Sequence, residues 1–533
     1  MLNKPMHLGT LFDDLAERRS TTAIRLSRPL DTAPEAGTEL DVPSAAGLVR
    51  RFAGWFAEAG VRPGDRVAIA KRNHWDYVLL SCAAARSGAV PASLSAHLPP
   101  DALDTLLRRL DPALLVTDTA LLRSARDAGT DLAARAARTL VVDGEAEGAL
   151  SPADVHGGLA PPARRPHLDA PLAIMHTSGT TGTPKLVEHS TRTIMRRLAA
   201  FESHRWPVLG SRRDDTVASS VSFAHGRALA WTASVLWLFP EAISVITSPD
   251  WAEAGPALHR HRPTTLEAQP ATLVRWQERL DREKAAFARV RLFISTFDAV
   301  HPSTVRSFLH ASERRVPVWM QGWGQSETGP LTFGFYTRFS SAGRPGSSST
   351  LRDLGRPAPG RTRLHALDPD TLRPLPAGEP GLLFCRTEAL CTGYVGEEGR
   401  WRNKLIGQWW NTGDIGSVDR TGAVRLVDRE VDVLAEGGCL EIEDVVDQRL
   451  PRALECIVLG VADGPPVPVV AVEEGTLDPG TWKDAVADLP AMAEPVIVGW
   501  DDLPRTGTGK VRRGALREHL GLPRTALGTG RWT

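Results

Sequence analysis

Residues 176–185 read HTSGTTGTPK, and seven of these ten are Ser, Thr or Gly. Such a stretch suits phosphate oxygens, because backbone N–H groups can converge on an anion while hydroxyls add donors. Thr177, Ser178, Thr180 and Thr181 supply hydroxyls, and Lys185 adds a charge. Gly179 and Gly182 let the backbone turn where a Cβ would hinder it. The apolar run PLAIM precedes the stretch and reads as a buried strand. A Walker A loop needs lysine directly after its last glycine. Here Thr183 and Pro184 separate Gly182 from Lys185, and the proline would disturb the helix start of a P-loop. A conventional P-loop NTPase is therefore disfavoured.

The elements that must carry this loop are legible on both sides of it. The chain has 533 residues, too many for one ordinary core, so two or more domains are expected. Residues 45–60 show apolar residues at helical spacing and stop at Gly60. Residues 75–94 read as a helix ending at Gly88 followed by a strand, and 101–118 repeat the pattern. This alternation predicts layered α/β structure with largely parallel strands. Residues 140–170, rich in Pro, Gly and Ala, read as a surface connection. After a Gly/Ser loop at 340–350, GRPAPGRTRLHAL, GEPGLLFCR and GAVRLVDR read as short strands of a β-rich subdomain. A compact mixed block from about 430 to 533 ends the chain.

Composition excludes several classes. Lys plus Arg and Asp plus Glu both number 63, so nothing suggests nucleic acid or an anionic membrane as partner. The five cysteines, Cys82, Cys385, Cys391, Cys439 and Cys456, form no CxxC pair, so neither a zinc site nor a disulfide framework is indicated. The N-terminal stretch mixes charges where a signal peptide needs an apolar core. No apolar run reaches the ~18–20 residues of a membrane span. A cytoplasmic protein is expected, and a homodimer stays open.

TSGTTGTPK closely resembles the phosphate loop of the adenylate-forming superfamily: acyl-CoA synthetases, nonribosomal adenylation domains and luciferases. Three further motifs follow in that superfamily's order. QGWGQSETG (321–329) resembles its aromatic-Gly-x-Thr-Glu motif. NTGDIGSVDRTGAVRLVDR (411–429) resembles its Thr-Gly-Asp segment and the Arg before its hinge. LPRTGTGKVRR (503–513) resembles its C-terminal lysine loop. The resemblance spans nearly the whole chain. It implies an N-terminal domain, 1–429, of layered mixed α/β sheets with the β-rich subdomain, and a small mobile α+β domain, 430–533, that rotates between half-reactions. It also implies the chemistry. A carboxylate attacks the α-phosphorus of ATP, pyrophosphate leaves, and the acyl adenylate carries AMP as a good leaving group.

The resemblance assigns roles residue by residue. The 177–185 loop would hold the β- and γ-phosphates. Glu327 takes the position that binds Mg²⁺, and Ser326 stands for the usual Thr. Trp323, followed by Gly324, takes the place of the aromatic platform for adenine. Asp414 would accept bonds from both ribose hydroxyls, its two oxygens matching two vicinal donors, and Arg429 would approach the ribose or phosphate. Lys510 would bridge the substrate carboxylate and the α-phosphate, on a loop that Gly507 and Gly509 let insert. His225 matches a histidine of the acyl pocket, which Phe223, Gly226, Arg227 and Gly322 are expected to line with it. The hinge is expected at Val431 or the neighbouring Asp432.

Three departures bear on substrate and acceptor. Leu186 follows Lys185 where the superfamily has Gly. STFDAVHP (295–302) replaces a Gly-Gly segment that touches adenine and lines the pocket, so Thr296 and Phe297 predict a compact or aromatic acid rather than a long fatty one. AEGGCLEIEDVV (435–446) lacks the usual Lys and Pro that flank the acceptor tunnel. CoA is the leading expectation for the acceptor, and an amine or other small nitrogen nucleophile is the alternative. Asp298 and Arg227 are candidate polar readers of the substrate. Ala224 stands where an α-amino-clamping aspartate would be, which disfavours an α-amino acid.

Overall fold

The computed structural model describes residues 6–177, 184–298, 300–339, 352–429, 439–450, 453–461, 464–472, 476–506 and 509–522. Ser178, Gly179, Thr180, Thr181, Gly182, Val431, Asp432 and Gly507 lie outside the described residues, as does the side chain of Arg429.

The predicted alternation is present. Helix Val42–Glu58 buries Ala45, Val49, Phe52 and Phe56, a spacing of three and four that puts them on one face. Asp41 caps it by accepting from the Ser44 N–H at 2.8 Å, and Gly60 beyond its end has φ +84°. Helix Asp76–Ser87 ends at Gly88, whose φ is +79°. Strands Arg66–Lys71, Val90–Ser95 and Leu114–Thr117 pair in parallel. With Pro171–His176, Leu186–Ser190 and two flanking strands they form a seven-stranded sheet among the described residues.

A larger sheet has a parallel centre of Ala242–Val245, Thr216–Ser220, Thr265–Ala268, Leu292–Ser295 and Val318–Gln325. It turns antiparallel where Val318–Gln325 meets Gly329–Thr337. The short strands expected after residue 350 are Asp353–Pro357, Thr362–Leu367, Gly381–Thr387, Trp409–Val418 and Val424–Arg429. They are not a detached sheet. Asp353–Pro357 pairs with both Gly329–Thr337 and Val424–Arg429, so the β-rich part continues the larger sheet. Gly355 permits that join: a Cβ there would lie 2.0 Å from the Phe333 carbonyl oxygen.

The last block holds a three-stranded sheet of Ala453–Val461, Gly464–Val472 and Val496–Gly499. Alternate residues serve its two faces. Cys456 and Val458 pack with Ile442 and Val446 of helix Cys439–Arg449, while Ile457 and Leu459 pack with Leu516 of helix Arg513–His519. No described helix is long and apolar enough to cross a membrane.

Candidate active site

The two ends of the 177–185 loop are clamped together. The Thr177 N–H donates to the Lys185 carbonyl at 3.0 Å, and the Lys185 N–H donates to Thr177 Oγ1 at 3.0 Å. The loop thus closes an antiparallel hairpin of Pro171–His176 and Leu186–Ser190, unlike the strand-to-helix passage of a P-loop. Leu186, at its departure from the superfamily pattern, is fully buried in the second strand. His176 braces the stem: its Nε2 accepts from the Ser95 N–H at 3.1 Å, leaving Nδ1–H to donate to the Thr177 carbonyl at 2.7 Å.

Lys185 Nζ lies 5.3 Å from the centre of the Tyr394 ring. Burial pushes its ammonium down to about 8; the Glu327 carboxylate opposes this, and Lys404 and Arg400 add to it. A polyphosphate held at Lys185 would favour the charged form, so above pH 8 its binding would carry a proton onto Lys185 and apparent ATP affinity would fall by up to about tenfold per pH unit. Calorimetric ATP titrations from pH 7 to 9.5 should show this fall, and Lys185→Gln should flatten it.

Glu327 is fixed by a tight hairpin. A Cβ on Gly324 would lie 2.2 Å from the Gly329 carbonyl oxygen, and Gly329 has φ +62°. Only glycine tolerates both demands, which accounts for the spacing of these two residues in QGWGQSETG. His189 Nε2–H donates to the Ser326 carbonyl at 2.8 Å, and the Cys391 N–H donates to the Glu327 carbonyl at 2.7 Å. The Tyr394 hydroxyl donates to Glu327 Oε1 at 2.5 Å. The described residues contain no group of three or more side chains able to cage a metal. A single buried carboxylate beside the phosphate-loop stem still fits Mg²⁺, which takes one or two carboxylates and completes its shell with phosphate oxygens and water.

Gln325 joins this motif to NTGD. Its amide donates to the Thr412 carbonyl, and Trp410 Nε1–H donates to its Oε1 at 3.2 Å. Asp414 is buried, follows Gly413 at φ +76°, and stands opposite Arg429 in the strand ladder. Trp323 packs, partly buried, against the main apolar core.

Lys510 reaches the same place from the C-terminal block. Thr506 and Lys510 close a turn through the Thr506 N–H to Lys510 carbonyl bond (2.8 Å) and the Lys510 N–H to Thr506 Oγ1 bond (3.1 Å). Gly509 at φ +82° brings that turn so near Ala271 that a Cβ would sit 2.9 Å from the alanine's own. Arg275 and Asp501, and His301 and Asp447, approach to 3.1 Å across the contact between this block and the rest of the chain. His225 faces the Ser326 hydroxyl at 3.4 Å and the Phe297 ring edge-on at 4.8 Å. Burial first, then the charges of His176, Lys510 and Arg227, hold the His225 imidazole down at about 3 and hence neutral. Lys510, His225, Ser326 and Glu327, far apart in sequence, thus share one site at the carboxyl ends of parallel strands.

The walls are more charged than the motifs suggest. Arg227 directs Nε and Nη2 at both oxygens of Glu267 (2.7 and 2.8 Å) and Nη1 at Glu202. Its fork is saturated by the protein, so it shapes the wall instead of waiting for a substrate. Thr296 Oγ1 donates to Glu267 Oε1 at 3.1 Å, while Asp298 is exposed. Phe223 is buried with its N–H on Asn73 Oδ1 at 2.8 Å, and Gly226 lies against Met175, whose Sδ would be 2.1 Å from an added Cβ. Phe201 and Glu202 come from one turn, Ala200–Glu202, that follows a π-helix, Arg192–Ala199. Phe201 stacks on Phe333 at 6.4 Å. Gly322 faces Phe333 and Thr296: a Cβ there would touch the Phe333 ring at 3.6 Å and Thr296 Cγ2 at 3.7 Å.

Phe297 keeps a glycine's backbone, φ +85°. Such strain costs about 1–3 kcal/mol. Phe297→Gly should recover it and forfeit about 1.5–3 kcal/mol of ring burial. The urea midpoint should therefore move little, whereas an ordinary core Phe→Ala costs about 3–5 kcal/mol. Bulkier ring substrates should gain relative to small ones in competition assays.

Sequence reading missed Glu202, Glu267, Phe201, Phe333 and Tyr394. Glu267 carried a signal, a lone acid inside the apolar strand TLEA. The others sit in unremarkable surroundings.

Against this geometry the comparisons are specific. The model of the family described as AMP-binding enzyme matches residues 37–395. The 3-amino-2-hydroxy-4-methoxybenzoate diazotase of Streptomyces cremeus is 38% identical, with 98% of this chain and 97% of that protein covered. The 3-aminoavenalumate diazotase of a Streptomyces species is 26% identical, with 89% and 88% covered. Among solved structures, the anthranilate CoA ligase AuaEII in complex with anthranoyl-AMP superposes with a TM-score of 0.81 at 20% identity, covering 98% of each chain. A hydroxyl-rich loop closing a hairpin, a pinned acidic turn and a lysine on a turn of the C-terminal block agree with a family match over most of the chain: this protein belongs to the AMP-binding enzyme family, the adenylate-forming ligases.

Proposed function

We propose that this enzyme adenylates nitrite and delivers the nitroso group to an aromatic amine bearing a carboxylate, making an aryl diazonium. The observation that carries this reading is the 38% identity, end to end, to a diazotase of an aminobenzoate. The wall formed by Arg227, Glu202 and Glu267 supports it, because buried charges suit a polar-substituted ring and not an apolar acyl tail.

Oxidation states select nitrite. An amine nitrogen is at −III, so the second diazonium nitrogen must arrive at +III, and nitrite is an oxyanion at that level. A nitrite oxygen attacks the α-phosphorus of ATP; the bond to the β-phosphate breaks and pyrophosphate leaves. The amine nitrogen then bonds to the nitroso nitrogen, the N–O bond to AMP breaks, and one proton is released. The resulting nitrosamine takes up a proton, loses water and becomes the diazonium. AMP retains one nitrite oxygen, and the other leaves in the water.

Lys510 would sit between the attacking oxyanion and the α-phosphate, where charge is transferred. Lys185, Lys404 and Arg400 would offset the departing pyrophosphate. Glu327 would hold Mg²⁺, which supplies Lewis acidity to the phosphate oxygens. Asp414 and Arg429 would hold the ribose, and Trp323 the adenine. Neutral His225, whose Nδ1 accepts from the Arg227 N–H at 3.1 Å, would present its Nε2–H to the site as a donor, beside Ser326. Residues 430–533 would act as the mobile domain that brings Lys510 in and withdraws it.

The test is incubation with ATP, Mg²⁺ and an aminobenzoate panel, with or without nitrite and CoA. AMP is measured, and diazonium is trapped as an azo dye. AMP and dye should both require nitrite and ignore CoA. AMP formed with acid and CoA but without nitrite would favour the acyl-CoA ligase expected from the motifs. AMP formed only on adding a second amine would favour amide formation.

A further inference from the structure

Arg361 follows the turn at Gly360, which has φ +68°, and precedes strand Thr362–Leu367. Its guanidinium lies over the Phe201 ring at 5.3 Å. Nε, Nη1 and Nη2 are all shielded from solvent, and none has a hydrogen-bond partner among the described residues. Glu202 is the carboxylate whose charge acts on it, but Glu202 Oε2 already serves Arg227 and, at 3.3 Å, Ser234. Burial pushes the Arg361 guanidinium down to about 10. A buried guanidinium whose N–H donors find no hydrogen-bond partner among the described residues is unfavourable by itself and matches a planar two-oxygen anion.

The place of this cation matters. Arg361 contacts Phe201, Phe201 stacks on Phe333, and Gly322 and Thr296 lead from there to Phe297 and His225. These contacts place Arg361 on the Phe201–Phe333 side of the wall, with Phe297 and His225 on the other side. In an acid ligase the substrate carboxylate must lie at the Lys510 end, and an anion site on the Phe201–Phe333 side has no role. In nitrite activation, nitrite takes the Lys510 end, and the ring carboxylate needs another partner.

We infer that Arg361 anchors the carboxylate of the amine substrate, so that an aminoarene carboxylate enters with its amino group toward His225 and Lys510. This rests on the diazotase reading, and it names the orientation and the anionic group that the site selects.

Binding of 2-, 3- and 4-aminobenzoate is compared with that of the matching aminobenzamides. The protein is loaded with α,β-methylene-ATP and Mg²⁺ without nitrite, so turnover plays no part. Wild type should bind at least one aminobenzoate about 10- to 100-fold more tightly than its amide. Arg361→Met should lose that preference, keep its ATP affinity within about threefold, and melt at or above the wild-type temperature, since it removes a buried charge with no hydrogen-bond partner among the described residues. Arg361→Lys retains the charge without the fork and should keep part of the preference, which also covers a Met variant that fails to fold. Acid-over-amide preference unchanged in both variants, or absent from wild type across the panel, overturns the assignment. Azo-dye formation with nitrite is scored separately. Dye without an Arg361 effect sinks this inference alone; an Arg361 effect without nitrite-dependent dye sinks the diazotase reading and leaves an anion subsite.

Discussion

Lys510→Ala is expected to lower ATP-dependent pyrophosphate release about 10²- to 10³-fold, the usual loss when one donor to a developing charge is removed. Two features keep the result interpretable. The turn that presents Lys510 is built from backbone bonds and the Thr506 hydroxyl, so trimming the side chain leaves the loop intact. The block carrying it approaches the rest of the chain at Arg275–Asp501 and His301–Asp447, which the substitution does not touch. The melting temperature and the KM for ATP should therefore change little, and the loss should fall on kcat. A variant retaining more than about a third of wild-type release would remove Lys510 from the chemistry. His225 should report the change as well. The Lys510 charge helps hold that imidazole down, so its pKa, followed by NMR, should rise in the variant.

Glu327→Gln is the second large effect. The amide is isosteric and its oxygen can still accept from Tyr394, so the hairpin around Gly324 and Gly329 should persist. What disappears is the negative charge. We expect kcat/KM for MgATP to fall about 10²- to 10³-fold and the Mg²⁺ concentration for half-maximal rate to rise. A linked effect separates charge from structure. Glu327 raises the Lys185 pKa against burial, so its removal should carry that pKa below about 8 and shift the alkaline loss of ATP affinity to lower pH. Tyr394→Phe, which removes only the hydroxyl, should cost about 1.5–3 kcal/mol of the same function. Unaltered Mg²⁺ dependence combined with a lower melting temperature would make Glu327 a structural carboxylate.

Much of the fold and part of the site could be read without coordinates, and particular residues show why. Gly60 and Gly88 mark helix ends because left-handed backbone is cheap for glycine, and both have positive φ in the structure. The 177–185 loop and QGWGQSETG owe their patterns to short-range demands. Hydroxyls and glycines must follow a strand, and a Cβ at 324 would strike a carbonyl five residues on. Demands of that kind involve neighbours in the chain, so they leave a mark in local order and spacing.

The charged wall leaves no such mark. Glu202 sits at the end of a π-helical stretch, Glu267 in a buried strand, and Arg361 beyond a turn in the antiparallel part, and each looks ordinary among its neighbours. Only the larger sheet, by running its parallel centre into the antiparallel strands, sets them near one another. The same holds for Phe297. Its type alone argued for a smaller site, but its left-handed backbone and its contact with His225 follow from packing. Sequence alone determined the adenylate-forming family and supplied the candidate phosphate, acidic and lysine motifs, because such motifs obey local backbone chemistry. Tertiary structure decided the saturation of Arg227, the absence of a hydrogen-bond partner for the Arg361 guanidinium among the described residues and the nearness of the Lys510 charge to His225, because ion pairing and burial depend on distances between segments that are remote in the chain.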